Sequence, residues 1–305
     1  MFEGLAVALV TPFTEDDQLD TKALETLIDF HVKAGTECIL VCGTTGESAT
    51  LTHDEHKALV KHAAQYVRSV RGEKPTPLLW AGTGSNNTRE AVELTAAAKE
   101  DGADAALLIS PYYNKPPQTG LLAHFRKVAQ EVDIPQVVYN IQGRTAVNIS
   151  AETMVELSHE KNIVGVKESS GNFDQVAAII RDAAPGFTVW SGDDGNTLPI
   201  MAMGGKGVVS VTANIMPGPI RELVHAYLAG KPDEAKRLHH HLAGINAALF
   251  YETNPIPVKT AVNWLSQDQN FGLPHCGNLR LPLVEMSEAN QPRLREMMKR
   301  YSLPV

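Results

Sequence analysis

Short, nearly continuous apolar runs alternate with longer amphipathic stretches over the first three quarters of the chain. Residues 5–10, 38–42, 78–81, 105–109, 136–140, 163–166, 188–190 and 208–211 are strand-length and largely apolar, as strands covered on both faces are. Between them the apolar positions recur at helical spacing. Residues 21–34 follow Asp20, a suitable N-cap, and the helix from His53 opens with Thr52-His53-Asp54-Glu55 at capping-box spacing. Further helices are predicted over 88–100 and 120–131. Roughly eight strand–helix units suit a closed (β/α)8 TIM barrel, with a doubly wound open sheet as the alternative. After Gly230-Lys231-Pro232 the rhythm changes: 233–250, 258–265 and 283–301 read as helices with no strand-like run between them. The pattern therefore predicts an α/β chain with a barrel over 1–230 and a small C-terminal α-helical domain over 231–305.

Composition narrows the function classes. The chain has 305 residues, 43% of them hydrophobic, and a net charge of −8. A basic face of the kind that binds nucleic acid is not indicated. The apolar runs fall short of the ~20 residues a membrane-spanning helix needs. Met1-Phe2-Glu3-Gly4 carries no basic region, so no leader peptide is expected and the protein is expected to be cytoplasmic. The three cysteines do not make a disulfide framework. Cys38 and Cys42, four apart in a predicted strand, are expected on one face as small buried residues.

The strand ends carry the candidate chemistry. In a parallel barrel, the site forms at the C-terminal ends of the strands. The sixth strand runs into Lys167. If buried, its amine is desolvated, its pKa falls, and it can attack a ketone to form a Schiff base. The alternative is a lysine that reaches past the strand into water. The second strand leads into Gly43-Thr44-Thr45-Gly46-Glu47, whose amides and hydroxyls suit a carboxylate, or which is an ordinary turn. The fourth gives Tyr112-Tyr113, and the fifth ends in Tyr139-Asn140 with Arg144 beyond. Tyr139 is a candidate proton donor and Arg144 a candidate carboxylate fork. Asp193-Asp194 invites a metal reading, but no third ligand clusters with the pair and the same residues suit a helix cap. His53-Asp54-Glu55-His56 lacks zincin spacing, and His239-His240-His241 points three ways around a helix.

Taken in order, Gly-Thr-Thr-Gly-Glu from Gly43, Ser-Pro-Tyr-Tyr from Ser110, Tyr-Asn…Arg-Thr from Tyr139, Gly-Val-Lys-Glu from Gly165, Ser-Gly-Asp-Asp from Ser191 and Asn-Pro-Ile-Pro-Val-Lys from Asn254 make a specific set. It resembles the dihydrodipicolinate synthase family of pyruvate-dependent class I aldolases, over nearly the whole chain. The resemblance implies a TIM barrel with C-terminal helices, assembled as a homotetramer built from two dimers. It implies a Schiff base between Lys167 and pyruvate, and attack of the enamine on aspartate semialdehyde, towards diaminopimelate and lysine. Tyr139 would be the general acid/base, and Thr45 would link it to Tyr113 from a neighbouring subunit. Thr44 and Thr45 would hold the pyruvate carboxylate and Arg144 the semialdehyde carboxylate, with Gly192 and Val209 lining the site. No metal or organic cofactor is implied. Where the family has Tyr-Asn-x-Pro-x-Arg, this chain has Gln142-Gly143 before Arg144, which predicts a more loosely held arginine.

The resemblance also implies an allosteric site for L-lysine at Ser48, Ala49, His53, His56, Asn86, Glu90 and Tyr112, against the reading of a solvated helix end with incidental histidines. His53 and His56 share a helix face. Two rival functions remain at this level: a related lyase for N-acetylneuraminate or keto-deoxy sugar acids, and a non-catalytic barrel that senses a keto acid. Thr45 and Arg144 favour the synthase.

Overall fold

The computed structural model describes residues 2–71 and 76–305. Eight parallel strands, β1 (Gly4–Ala8), β2 (Cys38–Val41), β3 (Leu78–Gly82), β4 (Ala105–Ile109), β5 (Gln136–Asn140), β6 (Ile163–Glu168), β7 (Thr188–Ser191) and β8 (Gly207–Ser210), close into a barrel in sequence order. The crossovers carry α1 (Thr21–Ala34), α2 (His53–Arg71), α3 (Thr88–Asp101), α4 (Gln118–Glu131), α5 (Gln142–Thr145), α6 (Ala151–Leu157), α7 (Phe173–Asp182), α8 (Thr197–Met203) and α9 (Pro217–Leu228). The fold is a TIM barrel.

Local sequence explains the helix starts. Asp20 accepts from the Ala23 amide at 2.9 Å. Thr52 and Glu55 form the reciprocal capping box: the Thr52 amide donates to Glu55 at 2.8 Å and the Glu55 amide to Thr52 at 3.2 Å. Each satisfies amides that the first helical turn leaves unpaired.

Inside the barrel, Ala6, Cys38, Leu40, Leu107, Val137 and Val209 fill the interior around a floor of Phe2, Trp80 and Trp190. The two indoles meet edge to face at 5.1 Å and Phe2 stacks on Trp190 at 5.4 Å. The three rings pack against one another within the barrel interior.

Three further helices follow: α10 (Pro232–Ala248), α11 (Ile256–Leu265) and α12 (Gln291–Arg300). The expected division at 230/231 falls in the turn between α9 and α10. One apolar cluster runs across it, from Leu5 and Ile39 through Leu223 to Leu242, Val262 and Leu294, so the C-terminal helices share the barrel's outer core.

Two local expectations are corrected. The helix predicted over 283–301 begins only at Gln291, because the preceding segment bonds elsewhere: Glu252 Oε1 accepts from the Ser287 amide at 3.0 Å and from Asn290 Nδ2 at 2.9 Å. Cys38 and Cys42 do not share a face. Cys42 lies one residue past β2 with φ +54°, and that left-handed turn sends it into the outer cluster while Cys38 packs inside the barrel.

Candidate active site

The sixth strand would not point Lys167 inward by simple alternation. Ile163 packs in the outer apolar layer, and four residues on, strict alternation would place Lys167 on that same face. The register between β5 and β6 shifts by one residue, with Gln136 opposite Ile163 but Val137 opposite Gly165. Val166 consequently joins Ile163 in the outer layer, and Lys167 pairs with Tyr139 and Trp190 on the inner side. A one-residue irregularity of this kind re-aims every side chain after it. Gly165 fits the shifted strand because a Cβ there would lie 2.3 Å from the Thr188 carbonyl and 2.6 Å from the Trp190 ring.

Lys167 is 5% exposed. Burial lowers its pKa to about 7; the Asp194 carboxylate opposes the fall and the Arg144 cation adds to it. Its Nζ lies 4.1 Å from the centroid of the Tyr139 ring. Burial pushes the Tyr139 phenol up to about 12, against the Arg144 cation and the Ser169 and Thr44 hydroxyls. At neutral pH the amine is therefore available in its neutral form, beside a phenol that still carries its proton. Gly192 leaves room for the lysine: a Cβ there would stand 2.1 Å from Ser169 Oγ and 2.9 Å from Lys167 Cε. Val209 is fully buried in the interior cluster on β8.

The Gly43–Glu47 turn is built rigidly. Thr11 Oγ1 donates to the Gly46 carbonyl at 2.6 Å. Glu47 has φ +53° and a side chain wholly removed from solvent, paired with Lys259 Nζ at 2.7 Å and accepting from the Arg280 amide at 3.0 Å. Thr45 is buried, and its Oγ1 accepts from Asn254 Nδ2 at 3.0 Å. This corrects the expected relay: Thr44 faces Tyr139, while Thr45 is engaged by Asn254 from the C-terminal segment. The physical reason is that consecutive residues of a tight turn point in different directions.

Arg144 sits in the one-turn helix α5, and its Nη2 donates to the Asn254 carbonyl at 3.0 Å. The helical turn and this bond give it a defined place without the proline. Tyr113 does not reach Tyr139 within the chain. It stands 88% exposed with φ +74° at the tip of the β4–α4 connection.

A cavity of about 470 Å³ joins this mouth to the second candidate cluster. Its lining includes Thr44, Tyr139, Arg144 and Asn254 together with Ser48, Ala49, His53, His56, Glu90 and Tyr112. His53 Nε2 lies 2.7 Å from Glu90 Oε1, and His56 Nε2 lies 2.7 Å from the Gly82 carbonyl. Burial lowers the pKa of His56. Ser85 donates to the other Glu90 oxygen. Asn86 is not part of the lining; its Nδ2 donates to the Tyr112 carbonyl at 3.1 Å.

Asp193 caps a turn by accepting from the Gly195 amide at 2.9 Å, and Asp194 accepts from Ser210 and from the Val211 and Thr212 amides. The pair is thus committed to structure, and Asp194 also acts electrostatically on Lys167. Among the described residues no group of three or more His, Cys, Asp or Glu is placed to hold a metal ion, and no helix is long and apolar enough to cross a membrane. Sequence reasoning assigned no role to Asn254, Glu47, Lys259 or Ser169, and read Asp194 only as a metal candidate or a helix cap. The signal for the first three was present in the Asn-Pro-Ile-Pro-Val-Lys run and the turn's closing glutamate.

Comparison with known proteins agrees with this geometry. The profile of the Dihydrodipicolinate synthetase family matches residues 1–301. A 4-hydroxy-tetrahydrodipicolinate synthase from Aquifex aeolicus (strain VF5) is 50% identical over 310 residues, covering 100% of this chain and 99% of the relative. The structure of a dihydrodipicolinate synthase from Cyanidioschyzon merolae with lysine bound superimposes with a TM-score of 0.92 at 39% identity, covering 99% of both chains. The chloride-inhibited enzyme from Acinetobacter baumannii complexed with pyruvate superimposes at 0.92 and 40% identity, covering 100% of both. The chain belongs to the Dihydrodipicolinate synthetase family, lyase-type enzymes of the class I aldolase kind.

Proposed function

We propose that this chain condenses pyruvate with L-aspartate 4-semialdehyde, the 4-hydroxy-tetrahydrodipicolinate synthase reaction, on the route to diaminopimelate and lysine. The observation that carries the reading is the buried Lys167 amine, brought to a pKa of about 7 beside the Tyr139 phenol. The neutral amine attacks the pyruvate ketone. Tyr139 gives a proton to the carbinolamine oxygen, which leaves as water, and the imine forms. Loss of a proton from the pyruvate methyl group gives the enamine. The enamine carbon adds to the semialdehyde carbonyl, and that oxygen takes a proton to become the 4-hydroxyl. The amino group of the second substrate then displaces Lys167 from the imine and closes the ring. The iminium is the electron sink, so these steps use no metal or organic cofactor.

Thr44 takes the relay position beside Tyr139, and Thr45 holds the pyruvate carboxylate together with the turn's amides. Arg144 forks the semialdehyde carboxylate. Gly192 and Val209 shape the wall. The exposure of Tyr113 supports its insertion into a neighbouring subunit of a homotetramer, a dimer of dimers. We assign 1–230 to the catalytic barrel and 231–305 to the helical unit, and the buried free thiols of Cys38, Cys42 and Cys276 suit a reducing cytoplasm. L-Lysine is the inhibitor we assign to the Ser48–His53–Glu90 part of the cavity. Glu90 suits its ammonium, and the lysine-bound relative supports the choice.

Borohydride reduction in the presence of pyruvate, followed by peptide mass mapping, tests the covalent step. A reduced pyruvyl adduct on Lys167 is expected. No adduct would leave the keto-acid sensor as the better reading. Turnover of aspartate semialdehyde measured against cleavage of N-acetylneuraminate and keto-deoxy sugar acids tests the substrate, and activity on the sugar acids alone would reject the assignment. Titration with L-lysine tests regulation, where an unchanged rate at saturation would remove it.

A further inference from the structure

Asn254 occupies a position that none of the chemistry above uses. It is 5% exposed and comes from the C-terminal segment, just before α11. It touches both substrate anchors: its Nδ2 donates to Thr45 Oγ1 at 3.0 Å, and its carbonyl accepts from Arg144 Nη2 at 3.0 Å. Five residues on, in the first helical turn, Lys259 Nζ pairs with Glu47 at 2.7 Å, two residues beyond Thr45. The start of α11 thus grips the carboxylate-binding turn twice and the arginine once.

The direction of the Asn254–Thr45 bond has a chemical consequence. A hydroxyl has one proton. Because Thr45 Oγ1 accepts from the amide Nδ2, its own proton is left for another acceptor. Were the amide oxygen turned towards it, Thr45 would spend that proton on Asn254 and meet a carboxylate with lone pairs alone. Among the described residues the buried Asn254 Oδ1 has no partner, so the bond to Thr45 is the one its side-chain amide makes.

We propose that Asn254 is a positioning residue: it fixes Thr45 as a hydrogen-bond donor to the carboxylate of the keto acid and, through its carbonyl, ties that anchor to Arg144. The inference rests on the Schiff-base reading above. Wild-type trapping with pyruvate is therefore measured first, and its failure would remove that reading rather than this one.

Steady-state kinetics on Asn254→Asp, Asn254→Ala, Thr45→Val and the double variants test the inference, with thermal unfolding as a check on folding. Aspartate is isosteric but can only accept, so it draws the Thr45 proton to itself. Its KM for pyruvate is expected to rise at least about tenfold, with kcat changed less than about threefold, since the loss is in binding. Alanine releases the hydroxyl without opposing it and is expected to raise KM by less. In the Thr45→Val background neither change is expected to add more than about twofold, because residues acting through one contact are not additive. An equal KM increase in both backgrounds, a kcat loss at constant KM, or a larger effect of alanine than of aspartate would overturn the proposal. If the aspartate variant does not fold, the alanine and Thr45→Val cycle decides it on the same criterion.

Discussion

Lys167 Nζ lies 4.1 Å from the centroid of the Tyr139 ring, and the two residues are direct partners across β5 and β6. The ring face attracts an ammonium, a contribution of up to about 2 kcal/mol where water is excluded. Burial opposes it and wins, since the lysine pKa falls to about 7 rather than rising. The same burial raises the phenol to about 12. One environment thus supplies a neutral nucleophile and a protonated acid side by side.

The rate of borohydride-trappable imine formation at low pyruvate is expected to rise with pH, with an inflection near 7, as Lys167 loses its proton. An ordinary lysine would place that rise near 10.4. Single-turnover trapping between pH 5.5 and 10.5 reads the difference directly, and a rise centred near 10 would contradict the shifted amine.

Stability should pay for this nucleophile. The folded-state pKa of Lys167 is depressed below its unfolded value, so below about 7 the folded state bears the full cost of a buried cation. Between about 7 and 10.4 the unfolded chain holds more protons than the folded one, and stability rises with pH across that window. Lys167→Met, similar in length and uncharged, is expected to abolish trapping and raise the unfolding temperature at pH 6–7 by at least ~2 °C. The gain should shrink towards pH 10. Calorimetry at the two pH values checks it, and a lower melting temperature at pH 6 would contradict the argument.

The barrel was legible because both of its periods lie in the sequence: apolar runs for strands covered on two faces, and helical spacing between them. β4, at Ala105–Ile109, and β5, at Gln136–Asn140, are bounded as read. The inward aim of Lys167 was not legible, because it depends on a register shift between β5 and β6 that the apolar pattern of β6 by itself does not report. That the Thr44 hydroxyl, and not that of Thr45, acts on Tyr139 was hidden for a similar reason. Which hydroxyl faces Tyr139 is decided by turn geometry and by Asn254, two hundred residues away in sequence. The segment before α12 misled because its backbone bonds the Glu252 side chain, a tertiary contact that local helical pattern does not report.

Arg144 lines the cavity beyond Tyr139 and is held by a backbone carbonyl. Arg144→Ala is expected to leave trapping with pyruvate within about threefold of wild type and to lower kcat/KM for the semialdehyde by at least ~100-fold, the scale of a lost charged carboxylate contact. Equal loss in both assays would show that the arginine acts on the imine step instead.

Gly192 stands against Lys167, and any side chain there collides with Lys167 Cε and Ser169 Oγ. Gly192→Ala is expected to fold and to trap pyruvate at least ~100-fold more slowly, since displacing a reacting group by about 1 Å costs that much. Circular dichroism and the trapping rate separate the two outcomes. An unchanged rate would mean that the lysine has another productive rotamer.

The Glu47–Lys259 pair differs from the surface ion pairs in being fully buried, with side-chain exposures of 0% and 1%. Removing one partner strands the other charge in a dry site, which costs about 3–5 kcal/mol, whereas replacing both with apolar residues costs far less. Glu47→Leu and Lys259→Met are each expected to lower the melting temperature by at least ~6 °C, and the double variant by less than either alone. The pair also holds the turn that presents Thr44 and Thr45. The double variant should therefore recover stability without recovering pyruvate affinity, its KM for pyruvate staying raised at least about threefold. Thermal unfolding and pyruvate titration on the three variants test both halves. Additive destabilisation would show that the charges are not coupled, and a normal pyruvate KM in the double variant would show that the turn keeps its shape without them.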